Sequence, residues 1–250
     1  MDDTDAFEAA VYDAWTDASD LPWTEDVAFY RRLAREADGP ALEVGVGTGR
    51  VYLELRRDGI DIDGIDLSAA RLAHLRETAD AEGIDVSVRQ ADVTTFDPDR
   101  EYGLVYCPAR VFNLVTSLAD QRAALQNIHD ALAPGSRFAL NTFAPDPHFV
   151  AETYGEPSEI EVAVDGATYT LRDVMELDDA IERVGTQHRE VVDADGDVVF
   201  ETETPLALVT KREFELLFAD AGFSDWTFYG GFDGGPLETT SQELVAVAER

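Results

Sequence analysis

From Phe29 to Ala37 the apolar residues recur at helical spacing, and the run stops at Asp38-Gly39-Pro40, residues that end helices. Ala41 to Val46 then reads as a buried strand. Downstream the pattern alternates: a helix over Thr48 to Arg57, a strand over Ile60 to Leu67, and a helix capped by Ser68 and running to about Glu82. Strands follow at Val86 to Asp92 and Tyr102 to Cys107, then a helix from Asp120 to Leu132. The turn Ala133-Pro134-Gly135 leads into a strand from Arg137 to Phe143. Strand–helix alternation predicts a parallel sheet covered on both faces. Between Ile160 and Thr204 the period changes to two, punctuated by Asp165-Gly166, Asp178-Asp179 and Asp193-Ala194-Asp195-Gly196, which predicts about four antiparallel strands. A helix resumes at Thr210 and closes at Ala221-Gly222, before strands near Trp226 to Tyr229 and Glu243 to Ala248. The expectation is an α/β fold: one domain over residues 1–250, with a seven-stranded, mostly parallel sheet and an antiparallel sheet (160–204) inserted after the fifth strand. Residues 1–38 form an N-terminal helical segment, on which Tyr12 and Trp15 could close as a lid.

Composition narrows the function. The 250 residues carry 52 acidic against 19 basic side chains, a formal charge of -33, and Lys211 is the single lysine. Such a charge repels nucleic-acid phosphates and anionic membranes, so neither is an expected partner. The acids are spread along the chain rather than clustered, as expected of a halophilic surface whose self-repulsion is screened by concentrated salt. The opening MDDTDAFEAAVYDAW has no basic or long apolar segment, and no membrane-length apolar run occurs, so a cytoplasmic location is expected. Cys107 is the only cysteine, which makes an intrachain disulfide impossible. His74, His129, His148 and His188 lack ligand spacing, and no metal site is expected.

The candidate chemistry begins at the first strand–helix junction, Glu43-Val44-Gly45-Val46-Gly47-Thr48-Gly49. Glycines here let the backbone approach a ligand closely. A dinucleotide fingerprint begun at Gly45 would require Gly or Ala where Arg50 stands, which demotes a nicotinamide dehydrogenase. Glu43 instead suits the cationic amino group of a zwitterionic ligand. Asp66, at the second strand tip, can accept both hydroxyls of a ribose, and Asp92, at the third, an adenine amino group. Read singly, Asp66 could be a helix-capping acid and Asp92 a turn residue; three acids at successive strand tips share one crevice.

The segments ALEVGVGTGR, GIDLS, QADVTTFD, YGLVYCP and LAPGSRFALNTF together resemble successive motifs of class I S-adenosylmethionine-dependent methyltransferases of the small-molecule type, over nearly the whole chain. The resemblance implies a Rossmann-like sheet and S-adenosylmethionine as cofactor, bound at Glu43, Gly45, Gly47 and Gly49, with the first three around its methionine moiety. It implies Asp66 and Leu67 at the ribose and adenine, Asp92 and Val93 at the adenine edge, and Cys107 and Pro108 on the methionine side.

The acceptor side is less constrained. A sulfonium methyl is displaced in line once a nucleophile is held behind it in a dry pocket, and a His, Tyr or carboxylate could take the acceptor's proton. Candidates are Arg110, Phe112 and Asn113 after the fourth strand, Asn141, Phe143 and His148 after the fifth, and Tyr229 in a glycine-flanked strand exit. Arg110 could clamp an anionic acceptor or pair with a local acid. The resemblance implies a histidine where Leu114 stands, which leaves His148 as the replacement base or a solvent-facing loop histidine. The inserted strands are expected to roof a pocket for a small-molecule N or O acceptor; the alternative is a self-association surface forming a homodimer. A chain of this pattern could also bind the donor without turnover.

Overall fold

A computed structural model describes residues 3–18 and 23–250. Residues 1, 2 and 19–22 of the expected helical segment 1–38 lie outside them. Two helices, α1 (Asp3–Ala18) and α2 (Trp23–Glu36), precede the first strand, β1 (Ala41–Val44). There follow α3 (Tyr52–Arg57), β2 (Ile62–Asp66), α4 (Ala69–Glu82), β3 (Ser87–Gln90), β4 (Tyr102–Cys107), a 3-10 turn at Val111–Leu114, α5 (Leu118–Ala131) and β5 (Leu132–Phe143). Helix α6 (Pro147–Thr153) leads to the inserted strands β6 (Ser158–Val164), β7 (Ala167–Asp179), β8 (Val184–Val192) and β9 (Val198–Ala207). The chain closes with α7 (Lys211–Ala221), β10 (Asp225–Tyr229) and β11 (Glu243–Glu249).

The large sheet has the order β10-β11-β5-β4-β1-β2-β3. Its five strands β1 to β5 run parallel, while β11 is antiparallel to both β5 and β10. Successive strands step outward from β1 to β3, then return to β4 on the other side of β1. The carboxyl ends of β1 and β4 therefore form a topological switch point, where the connecting loops diverge and leave a crevice. Both strands are buried along their whole length, so the floor of that crevice is rigid. Among the described residues no helix is long and apolar enough to cross a membrane.

Several boundaries differ from the sequence pattern for local reasons. β1 ends at Val44 because Gly45 turns the chain with φ +75°, and the following helix begins only at Tyr52 rather than Thr48. No free turn separates α5 from β5: Leu132 pairs with Tyr102, pairing resumes at Arg137 with Leu104, and the NH of Gly135 donates to Arg250. β7 runs through Asp178, and the turn comes after Asp179, whose carboxylate accepts from the NH groups of Ile181 and Glu182.

The inserted sheet has the order β6-β7-β8-β9. A single four-stranded sheet has an apolar face that must be covered, and α1 covers it. Val11 of α1 is buried among Val162, Val164, Leu171 and Val191, flanked by Phe7 and Trp15, with Phe7 edge-on to Tyr169 at 5.2 Å. Burying each such aliphatic side chain stabilises the contact by roughly 1.5–3 kcal/mol. Helix α1 also meets the large sheet's side of the molecule, through Arg71–Glu8 (3.0 Å) and through Thr48, whose hydroxyl donates to Asp13 (2.6 Å). It thus bridges the inserted sheet and the crevice.

Candidate active site

The crevice at the switch point is a cavity of about 500 Å³, and Glu43, Gly45, Gly47, Asp66, Leu67, Asp92, Val93 and Pro108 all line it. Backbone geometry explains the first glycine. At Gly45 a Cβ would overlap the Val111 side chain, on a backbone already in the left-handed region, so any other residue would displace Val111. Asp66 is oriented by the turn it faces: its carboxylate accepts from the NH of Gly47 (2.8 Å) and from the NH of Ser68 (2.8 Å). Asp92 is fixed through Oδ1, which accepts from the NH and the hydroxyl of Thr94 (2.8 and 2.7 Å).

Glu43 lies at the bottom of the crevice, 2% exposed, and accepts a 2.5 Å hydrogen bond from the Tyr106 hydroxyl. Burial pushes its carboxyl up to about 8, against the opposing pull of that hydrogen bond and of Arg50. The Arg50 guanidinium, also lining the crevice, is held by both oxygens of Asp26 of α2 (2.9 and 2.5 Å), a side chain with no solvent exposure. Asp26 and Arg50 carry no sequence signal of their own; only the packing of α2 against the turn joins them.

A second cavity of about 770 Å³ adjoins the first and shares Glu8, Tyr12, Arg71, Ala109, Val111 and Leu114 with it. Its roof is Met175, Gln187, Arg189, Phe200, Thr202, Thr204 and Leu206 of the inserted sheet, and α1 forms a side wall with Val11, Tyr12 and Trp15. Arg189 is aimed by both oxygens of Asp173 (2.6 Å each) and lies 4.5 Å over the Trp15 ring. At the floor, the Arg110 guanidinium grips both oxygens of Glu243 (3.1 and 2.5 Å), and Asn141 donates to the same carboxylate (2.7 Å). The Tyr30 hydroxyl donates to Asn141 (2.8 Å), and the Tyr30 ring stacks on Tyr106 at 4.8 Å. Two hydrogen-bonded clusters, Arg110–Glu243–Asn141–Tyr30 and Tyr106–Glu43, thus meet where the Tyr30 and Tyr106 rings stack.

Comparison with known proteins agrees with this geometry. A family model described as a methyltransferase domain matches residues 41–135, the segment that builds the switch-point crevice. A demethylmenaquinone methyltransferase of Thermus thermophilus is 30% identical over 133 residues, 52% of this chain and 57% of that protein; the chain spans about half the length of the curated relatives it matches. Solved structures match at full length. An S-adenosylmethionine-dependent methyltransferase from Clostridium acetobutylicum has a TM-score of 0.78 at 14% identity, covering 97% of each chain. An amino pentose methyltransferase from Micromonospora echinaspora involved in calicheamicin biosynthesis, solved with S-adenosylmethionine bound, has a TM-score of 0.74 at 26% identity, covering 96% of each. Both of those structures are of methyltransferases that use or hold S-adenosylmethionine. The crevice fits that group: a buried acid for an ammonium, and a pre-oriented acid at the second strand tip for hydroxyls.

Two residues expected from the sequence to contact the cofactor are placed otherwise. Gly49 stands outside the crevice lining, because a Cβ there would meet Leu75 and Leu53 at 2.9 and 3.0 Å with φ +96°; it serves the packing of α3 on α4. Cys107 is 1% exposed within the core, its thiol pushed up by burial, while its neighbour Pro108 reaches the cavity. The acceptor-side candidates also separate. Arg110 lines the second cavity but is committed to Glu243. His148 sits in the first turn of α6 rather than in a loop, 80% exposed and 3.4 Å from Glu152; it lies outside both linings. Tyr229 packs against the core on the far side of β11 and bridges Pro236, also away from both cavities. Phe112 is core, and Asn113 bonds the carbonyl of Ala207.

Proposed function

We propose that this chain transfers the methyl group of S-adenosylmethionine to a small-molecule acceptor, at nitrogen or oxygen, held in the 770 Å³ cavity. The observation that carries the reading is the wall common to both cavities: an acceptor in the second can present its nucleophilic atom to the crevice in line, without crossing protein. When bound, the cofactor supplies an electrophilic methyl on a sulfonium. Glu43 would hold its ammonium, Asp66 its ribose hydroxyls, and Asp92 with Val93 the adenine edge. The inserted sheet and α1, closed on each other through Val11, would exclude water from the acceptor and define its shape. In this reading residues 1–38 act as a lid and the inserted sheet as an acceptor cap within one domain.

The relatives are named for a quinone precursor and an amino pentose. The second cavity offers surfaces for either, since Trp15, Phe143 and Phe200 provide flat apolar area while Thr202, Thr204 and Gln187 provide hydrogen bonds. The reading also takes the charge of -33 as an adaptation to concentrated salt in a cytoplasmic enzyme without nucleic-acid or membrane partners. The test is incubation with methyl-labelled donor and a fractionated small-molecule extract in high salt. Label entering one fraction, with equimolar S-adenosylhomocysteine, is the expected result; donor binding by calorimetry with no labelled product in any fraction would show a binder without turnover.

A further inference from the structure

Resting on the methyl-transfer reading above, we propose that Glu8 of α1 is the catalytic base that takes the acceptor's proton, with Arg71 of α4 as its positioning residue. An accepting atom in line with the sulfonium must lie where the two cavities meet. Six residues border both: Glu8, Tyr12, Arg71, Ala109, Val111 and Leu114. Of these, Glu8 alone carries a carboxylate that can accept a proton from a bound acceptor. Arg71 is permanently protonated, and burial raises the Tyr12 phenol, which keeps its proton. Glu8 and Tyr12 are one helical turn apart, so both face the junction. Arg71 Nη2 donates to Glu8 Oε1 at 3.0 Å, and its guanidinium lies 5.3 Å over the Tyr12 ring; this clamp aims one oxygen and leaves Oε2 for the acceptor.

The other acids lining the acceptor cavity are committed. Glu243 accepts from Arg110 and Asn141. Asp146 caps α6 through the NH of His148 and binds the Thr240 hydroxyl. Helix α1 is held from both sides, by Val11 in the inserted sheet and by Thr48 on Asp13, which fixes the height of Glu8 over the crevice. In the step, the acceptor's lone pair forms the new bond to the methyl carbon. The pair of the breaking carbon–sulfur bond stays on sulfur, giving the neutral thioether. The proton on the accepting atom passes to Glu8 Oε2 and leaves to solvent in the next turnover.

The experiment compares the parent chain, Glu8→Gln and Glu8→Asp in high salt at one pH, with naphthol and glucosamine as oxygen and nitrogen probes and methyl-labelled donor. Other charged groups around α1 are Arg71, His74 (on Asp13), Arg50, Asp66 and Arg189, and all remain in the variants. Expected for the probe that the parent methylates is a fall in kcat of about 100-fold in Glu8→Gln with KM little changed, and partial rescue by Glu8→Asp. Donor affinity by calorimetry stays within about tenfold, roughly 1.4 kcal/mol. Undiminished kcat in Glu8→Gln, or a loss confined to KM, overturns the assignment alone. A parent that binds donor but methylates neither probe overturns it together with the methyl-transfer reading for these acceptor classes.

Discussion

Replacing Glu43 by glutamine separates two consequences of burying an acid in the donor crevice. Glutamine keeps the volume and a carbonyl oxygen for the Tyr106 hydroxyl, and removes only the ionisation. In the parent, burial lifts the carboxyl from 4.5 to about 8, so the folded chain holds this proton more tightly than the unfolded chain does. The resulting stabilisation is complete below about pH 4.5 and is lost as pH rises through about 8. At about 1.36 kcal/mol per unit, the whole window is worth on the order of 5 kcal/mol. Denaturant titrations at fixed high salt should show parent stability declining across this window and Glu43→Gln lacking that part of the slope. The donor's ammonium works in the opposite sense, since it favours the carboxylate. Below about pH 8, donor binding should therefore release close to one proton, read by calorimetry in two buffers of different ionisation enthalpy. Loss of this charge-assisted contact should weaken donor binding by about 1.5–3 kcal/mol in Glu43→Gln. Parental donor affinity in the variant, with no proton released by the parent, would refute the assignment of Glu43 to the ammonium.

Asp66→Ala removes the acceptor for Gly47 and Ser68 as well as the ribose contact, and donor affinity should fall by about 1–3 kcal/mol; unchanged calorimetric affinity removes Asp66 from the site. Arg110→Ala leaves Glu243, only 4% exposed, without its cation, and should cost about 3–5 kcal/mol in denaturant unfolding. Much of that loss should be recovered when Glu243→Gln is added, and a non-coupled pair of effects contradicts the ion-pair account. Melting temperature should climb steeply from low to multimolar potassium chloride as the charge of -33 is screened; a flat response rejects the salt-adaptation reading.

The alternation of strand and helix, the seven-stranded sheet, the insertion after the fifth strand and the acidic strand tips were all legible in the sequence, because each rests on local periodicity or on a turn that needs glycine. Boundaries were less legible where distant pairing decides them, as at Leu132, drawn into β5 by Tyr102. The sequence also grouped Gly49 and Cys107 with the ligand, whereas tertiary packing turns one toward Leu75 and buries the other in the core. Arg110 and His148 had the right chemistry for an acceptor site, but whether a charged side chain is committed depends on partners far along the chain, and Glu243 lies 133 positions from Arg110. Glu8 carried no motif at all. It meets the crevice only because the apolar face of α1 is needed to cover the inserted sheet, and that requirement arises from two segments separated by some 150 residues, whose contact no local pattern encodes.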